Sequence, residues 1–133
     1  YGRLRRWLQT HCDPDEPTVL CGDFNIAPED IDVYDPAAWA DGVLCHPKGR
    51  AALQSIVDWG FVDTWRTRSP DVAQYTWWDY RKGPAQNDDG LRIDYVFATR
   101  SLAETCTDVV VHTDMRARKT PSDHAPVTAV FGA

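Results

Sequence analysis

Apolar and polar positions change rhythm several times along the chain, and each change marks an element. Leu4, Trp7 and Leu8 recur at helical spacing and predict an opening helix over 1–11. The segment CDPDEP (12–17) stops it, because Pro14 and Pro17 cannot continue a helix. A short strand is predicted over 18–21. The acidic stretch 28–41 has no clean period and reads as loop with short helical turns. In GRAALQSIVDWG (49–60), Leu53, Ile56 and Val57 fall on one helical face, and Gly60 supplies a stop. An extended stretch begins over 62–65, and QYTWWDY (74–80) is rich in strand formers. Over 91–97, Leu91, Ile93, Tyr95 and Phe97 alternate with Arg92, Asp94 and Val96, the pattern of a strand with one apolar face. A helical turn over 101–106 and strands over 107–112 and 125–131 complete the order. This mixture predicts an α/β (α+β) domain whose sheet is covered by helices.

At 133 residues, 43% of them hydrophobic, the chain suffices for one domain with a core and is short for two. No apolar run approaches the roughly 20 residues needed to span a bilayer, so no membrane partner is expected. Cys12, Cys21, Cys45 and Cys106 show no CxxC pairing; Cys21 and Cys106 read as reduced core residues, which favours a cytoplasmic protein. The net charge of -6 argues against a generic polyanion-binding surface. It leaves room for a nuclease, because the local field at a groove outweighs the sum and clustered carboxylates attract a divalent cation. Arg81, Lys82 and Arg92 around a central loop, and Arg116, Arg118 and Lys119 before the last motif, are the expected nucleic-acid contacts. Tyr1 begins inside the first helix with no cap ahead of it, so the chain reads as the later part of a longer protein.

Three polar lips beside apolar runs carry the chemistry. In CGDFNI (21–26), Asp23 and Asn25 point the same way if the backbone is extended. An Asx turn that caps backbone amides competes with that reading. In GLRIDYVF (90–97), Asp94 lies within a strand-like run and needs a partner. Arg92 is one candidate and His124 another. In PSDHAPV (121–127), Asp123 and His124 precede the last strand; a carboxylate on one imidazole nitrogen would fix the tautomer and leave the other nitrogen for substrate. Of Trp77 and Trp78, adjacent in a strand-like run, one can wall a pocket while the other is core. Oxygen ligands without paired histidines or cysteines suit magnesium or manganese.

CGDFNIAPEDIDV, DWGFVDTWR, YTWWDYR, GLRIDYVFA and PSDHAPV occur together, in order and with similar gaps, in one family. The chain resembles the exonuclease III family of apurinic/apyrimidinic (AP) endonucleases, within the endonuclease/exonuclease/phosphatase superfamily. The last three motifs are together the specific signal. The resemblance covers the whole chain but only the C-terminal half or so of the family's domain. It implies half of a four-layer α/β sandwich, with one mostly antiparallel sheet and covering helices. It also implies divalent-metal-dependent phosphodiester hydrolysis in DNA repair, on duplex DNA with an abasic site or a recessed 3' end. Catalytic roles would fall to Asp23 (attacking water or leaving 3' oxygen), Asn25 (scissile phosphate), His124 (phosphate) and Asp94 (orienting His124). Asp123, with Asp23 and Asn25, would serve Mg2+, or Mn2+ in its place. Trp77, Leu91 and Ile93 would line a pocket for a flipped-out sugar, and the loop 81–89, with Arg81 and Lys82, would lie against DNA.

The family's metal-binding glutamate, early asparagine and catalytic tyrosine have no counterpart in these residues. The missing N-terminal half is thus an expected partner, without which the chain would be weak or inactive and would expose the inner face of a sheet. Two rivals remain. One is a phosphoesterase of the same fold acting on inositol phosphates, sphingomyelin or non-specific DNA. The other is a non-catalytic fragment that packs against a partner chain.

Overall fold

The computed structural model describes residues 1–82 and 88–132. In chain order its helices and strands are α1 (Gly2–His11), β1 (Val19–Asp23), α2 (Pro36–Trp39), α3 (Pro47–Val57), β2 (Phe61–Asp63) and α4 (Thr64–Arg68). Then follow β3 (Trp77–Trp78), β4 (Gly90–Leu91), β5 (Asp94–Thr99), α5 (Arg100–Ala103), β6 (Cys106–Val111) and β7 (Val127–Phe131). Every ladder is antiparallel, as expected, and the pairing falls into three pieces among the described residues: β1-β5-β2, β3-β4 and β6-β7. No helix among these residues is long and apolar enough to cross a membrane.

Local chemistry accounts for most of the element boundaries. Leu4 and Leu8 of α1 face the sheet; Trp7, a turn's fraction away, is 52% exposed and stacks on His11 instead of joining that face. Helix α3 starts earlier than its apolar period suggested, because the His46 ring nitrogen accepts from the Lys48 N–H at 3.1 Å and Pro47 fits the first turn. It ends at Val57, and the turn after it runs through Gly60, whose φ of 147° and 2.5 Å approach of the Pro14 Cβ to where a Cβ would stand admit only glycine. The extended run expected over 62–65 turns helical at Thr64, since Asp63 caps α4 by accepting from the Arg66 N–H at 3.1 Å. Only Trp77–Trp78 of the 74–80 stretch enters a ladder.

One face of β1-β5-β2 is packed. Leu8 of α1, Leu53 and Ile56 of α3, and Ile26, Trp59, Phe61, Tyr95 and Phe97 form a single buried cluster there. The opposite face carries Val19, Cys21 and Asp23, paired in register with Ala98, Val96 and Asp94. It is open along β1, where Val19 is 43% exposed and Cys21 is exposed, which corrects the reading of Cys21 as core, while Ala98 on β5 is fully buried. Cys106 is only half-buried, and all four cysteines are free thiols. Val110 and Val130 on β6 and β7 are exposed as well.

The strand expected over 91–97 breaks after Leu91, and a buried ion network explains the break. Arg92 donates through Nε to Asp32 (2.7 Å) and through a terminal nitrogen to Asp63 (2.7 Å), while Arg66 donates to Asp32 at 2.6 Å. Arg92 and Asp32 are essentially inaccessible to solvent. Arg92 therefore does not pair with Asp94, and it cannot touch nucleic acid. Burial works against its charge, but Asp63, Tyr95 and Asp32 outweigh that and hold the guanidinium above its ordinary range. The apolar side of the run survives the break: Leu91, Ile93, Tyr95 and Phe97 are all buried.

Candidate active site

Asp23 ends β1 and Asp94 begins β5, and the two are partners in the ladder register. Two carboxylates directly opposite on one sheet face repel unless something cationic joins them. His124 is placed to do so. Its Nδ1 lies 2.9 Å from an Asp94 oxygen, and its Nε2 lies 4.0 Å from Asp23 Oδ2. With Asp94 as acceptor, Nδ1 carries the proton and Nε2 is turned outward with a lone pair or, when the ring is charged, a second donor. All three side chains keep partial solvent access.

His124 is held by the backbone on both sides. Trp77 forms an isolated antiparallel bridge with it, the Ala125 N–H donates to the Thr76 carbonyl at 2.7 Å, and the Trp78 N–H donates to the Asp123 carbonyl at 3.0 Å. The Ser122 hydroxyl accepts from the His124 N–H at 3.1 Å, which closes the turn before β7. The expected Asp–His pair thus comes from segments thirty positions apart in the chain.

Asn25 is exposed and left-handed, with φ of 50°, and its N–H donates to Asp23 Oδ1 at 2.8 Å. Extended geometry does not run through it; the Asx turn forms, and it coexists with the site. Asn25, Trp77, Ile93, Arg81 and His124 border a cleft of about 450 Å³ whose far wall is Trp39, Val43 and Leu44. Leu91 lies behind this wall, fully buried with Ile93 and Val33 beneath Trp77. The Asp123 carboxylate accepts from the Trp77 indole N–H at 3.1 Å, on the solvent side of the same ring. Arg81 is exposed and paired with Asp79 at 2.8 Å. The Lys82 side chain and residues 83–87 of the expected DNA-facing loop lie outside the described residues.

Asp23, Asp94 and His124 have ligand atoms within 4.8 Å of one another, so together they form an acidic site suited to a metal ion. One Asp94 oxygen accepts from the imidazole, so the other and the Asp23 carboxylate are the oxygen donors of the trio; Asp123, expected at the metal, is not part of this cluster and accepts from the Trp77 indole N–H instead. Carboxylate oxygens fit a hard divalent cation, and magnesium, which keeps several of its waters, is commonly held by one or two of them.

Sequence reasoning missed Trp39. Its ring packs edge-on against Trp77 at 5.9 Å, and its indole N–H donates to Asp89 at 3.0 Å. A lone tryptophan in an acidic, aperiodic stretch was the available signal. Arg116, expected at a nucleic-acid surface, instead lies over the buried Trp78 ring, 3.8 Å from its centroid. Arg118 and Lys119 are exposed.

The described chain is thus an antiparallel sheet backed by helices, with an Asp–His–Asp cluster where β1 ends and β5 begins. The chain belongs to the endonuclease/exonuclease/phosphatase family, whose pattern matches residues 1–124. It is 36% identical to exodeoxyribonuclease III of Haemophilus influenzae over 98% of its own length and 52% of that protein's. Among solved structures it is similar to an AP endonuclease from Archaeoglobus fulgidus, with TM-score 0.93, 41% identity, and coverage of 99% of this chain and 52% of that one. A 3' phosphatase from Neisseria bound to a product DNA hairpin gives TM-score 0.87 and 41% identity, over 98% of this chain and 49% of that one. The chain therefore spans about half the length of the relatives it matches.

Proposed function

We propose that this chain supplies one half of a DNA repair nuclease that hydrolyses phosphodiester bonds with Mg2+ or Mn2+, by AP-site incision, 3'–5' exonuclease action, or both. The observation that carries the reading is the imidazole of His124, held at 2.9 Å by Asp94 and presenting Nε2 toward Asp23 at the mouth of a tryptophan-walled cleft. In this reading Asp94 orients the ring, and His124 donates to a phosphoryl oxygen as negative charge develops there. Asp23 takes a proton from the attacking water or serves the leaving 3' oxygen, and the Asn25 amide donates to the scissile phosphate. Asp123 and Asp23, assisted by Asn25, would hold the cation, which when bound neutralises phosphoryl charge. Trp77 and Ile93, backed by Leu91, shape the sugar pocket, while Arg81 reaches the DNA backbone.

The remaining ligands and the cover for the open face around Val19 and Cys21 come, in this reading, from the other half of the domain. The exposed Val19 and Cys21, and the match to only about half the length of the relatives, support it. The experiment is magnesium-dependent incision of an abasic duplex, assayed with the 133-residue chain alone and with the chain joined to the complementary half of a relative. Activity only in the joined protein is expected. Full activity of the chain alone would overturn the half-site reading. A joined protein that hydrolyses inositol phosphates or sphingomyelin in preference to abasic DNA would replace the substrate class.

A further inference from the structure

We propose that Thr76 is a positioning residue that locks the Asp94 segment to the His124 segment and so sets the geometry of their hydrogen bond; its kinetic consequence rests on the nuclease reading above. Thr76 is fully buried. Its hydroxyl oxygen accepts from two consecutive backbone amides, Ile93 at 3.0 Å and Asp94 at 3.1 Å. Its own N–H donates to the Leu91 carbonyl at 2.9 Å, and its carbonyl accepts from Ala125 at 2.7 Å. One residue thus clasps both sides of the break between β4 and β5 and, through the opposite edge of its peptide, the residue after His124.

The position of the clasp matters. Asp94 is the first residue of β5, directly after the break, where the β1–β5 ladder ends at its pair with Asp23. The Thr76 oxygen holds the backbone N–H of Asp94 itself. A carboxylate that must meet an imidazole within a few tenths of an ångström needs such support from a rigid neighbour. The competing account is that Thr76 fills core volume with its methyl group. The two accounts separate cleanly, because valine keeps the shape and loses the oxygen, whereas serine keeps the oxygen and loses the methyl.

Three readouts follow from Thr76→Val and Thr76→Ser. In the full chain, amide exchange at Ile93 and Asp94 and the His124 Nδ1–H proton resonance are measured by NMR. In the assembly that cleaves abasic duplex, kcat and KM are measured separately. Thr76→Val is expected to lose protection at both amides, shift or broaden the imidazole resonance, and lower kcat about ten- to a hundredfold with KM unchanged. Thr76→Ser is expected to restore all three. A valine variant that keeps resonance and rate, or a serine variant that loses them, overturns the proposal in favour of packing. If the valine variant fails to fold, the serine variant alone decides by the same criterion. Failure of the nuclease reading looks different: Asp94→Asn and His124→Ala would then leave cleavage untouched, while the amide and imidazole signals would still report on Thr76.

Discussion

Two ion clusters sit two residues apart on the approach to β5, one built on Arg92 and the other on Asp94. Around Arg92 two guanidinium groups meet two carboxylates, Asp32 and Asp63, at 2.6 to 2.7 Å, and solvent is almost wholly excluded from Arg92 and Asp32. Around Asp94 two carboxylates share one imidazole, at 2.9 and 4.0 Å, and each side chain stays partly wet. The first cluster is balanced in charge and densely hydrogen-bonded, although Arg66 Nε is buried without a hydrogen-bond partner. The second carries surplus negative charge and faces a cleft. Buried pairs of the first kind give weak net stabilisation but a large penalty when one partner is lost. An unbalanced, accessible cluster is an expensive arrangement for a scaffold and a useful one for binding cations and phosphate.

Breaking the first cluster should have the largest effect on folding. Arg92→Met leaves Asp32 and Asp63 short of a counter-charge in the interior, so denaturant unfolding should show a loss of about 3–5 kcal/mol. A loss below about 1 kcal/mol would mean that Arg66 alone compensates. Breaking the second cluster should spare stability and remove catalysis. His124→Ala in the assembled nuclease is expected to lower the cleavage rate about a hundred- to thousandfold, as for removal of one oxyanion donor, with an unfolding midpoint close to the parent's. The reverse pattern, intact cleavage with lost stability, would make both clusters structural.

Tyr95 lies between the clusters and sharpens the contrast. Its hydroxyl is 2.6 Å from the Arg92 carbonyl and 2.8 Å from that of Ile26, and the Arg92 guanidinium stacks over its ring. Burial, helped by Asp32, Asp63 and Asp94 and opposed by Arg92, holds this hydroxyl well above the ordinary range. In the unfolded chain tyrosine titrates near pH ~10, so above that pH the unfolded state releases a proton that the folded state retains. The stability present below that pH should therefore drain away as alkalinity rises. Tyr95→Phe should cost about 1 kcal/mol at neutral pH but decline less steeply between about pH 9 and 11. Parallel pH curves for the two proteins would show that Tyr95 does not govern the alkaline loss.

Much of the second cluster was legible in the sequence, and almost none of the first. Asp94 stood out as a carboxylate inside an apolar alternation, and Asp123–His124 as a polar pair before a strand, so their meeting could be inferred. The direct opposition of Asp23 and Asp94 needed the β1–β5 register, which no local pattern carries. Asp32, Asp63 and Arg66 come from a turn, a strand end and a short helix, and Asp32 meets Arg92 across 60 positions. No periodicity announces such a contact, and the nearest carboxylate in sequence to Arg92, Asp94, was the wrong partner. The two long helices were readable because their apolar faces repeat. Cys21 was misread because an apolar neighbourhood does not say which side of a strand is covered.

The left-handed corner at Asn25 narrows the residues the position can accept. Few side chains other than asparagine, aspartate or glycine tolerate that backbone, so drift there is filtered by shape before chemistry is tested. Glycine would keep the bend while deleting the amide, and aspartate would keep it while adding a third negative charge beside Asp23 and Asp94. The corner thereby offers natural variants a short menu in which conformation is preserved and only the electrostatic character of the entrance is free to vary.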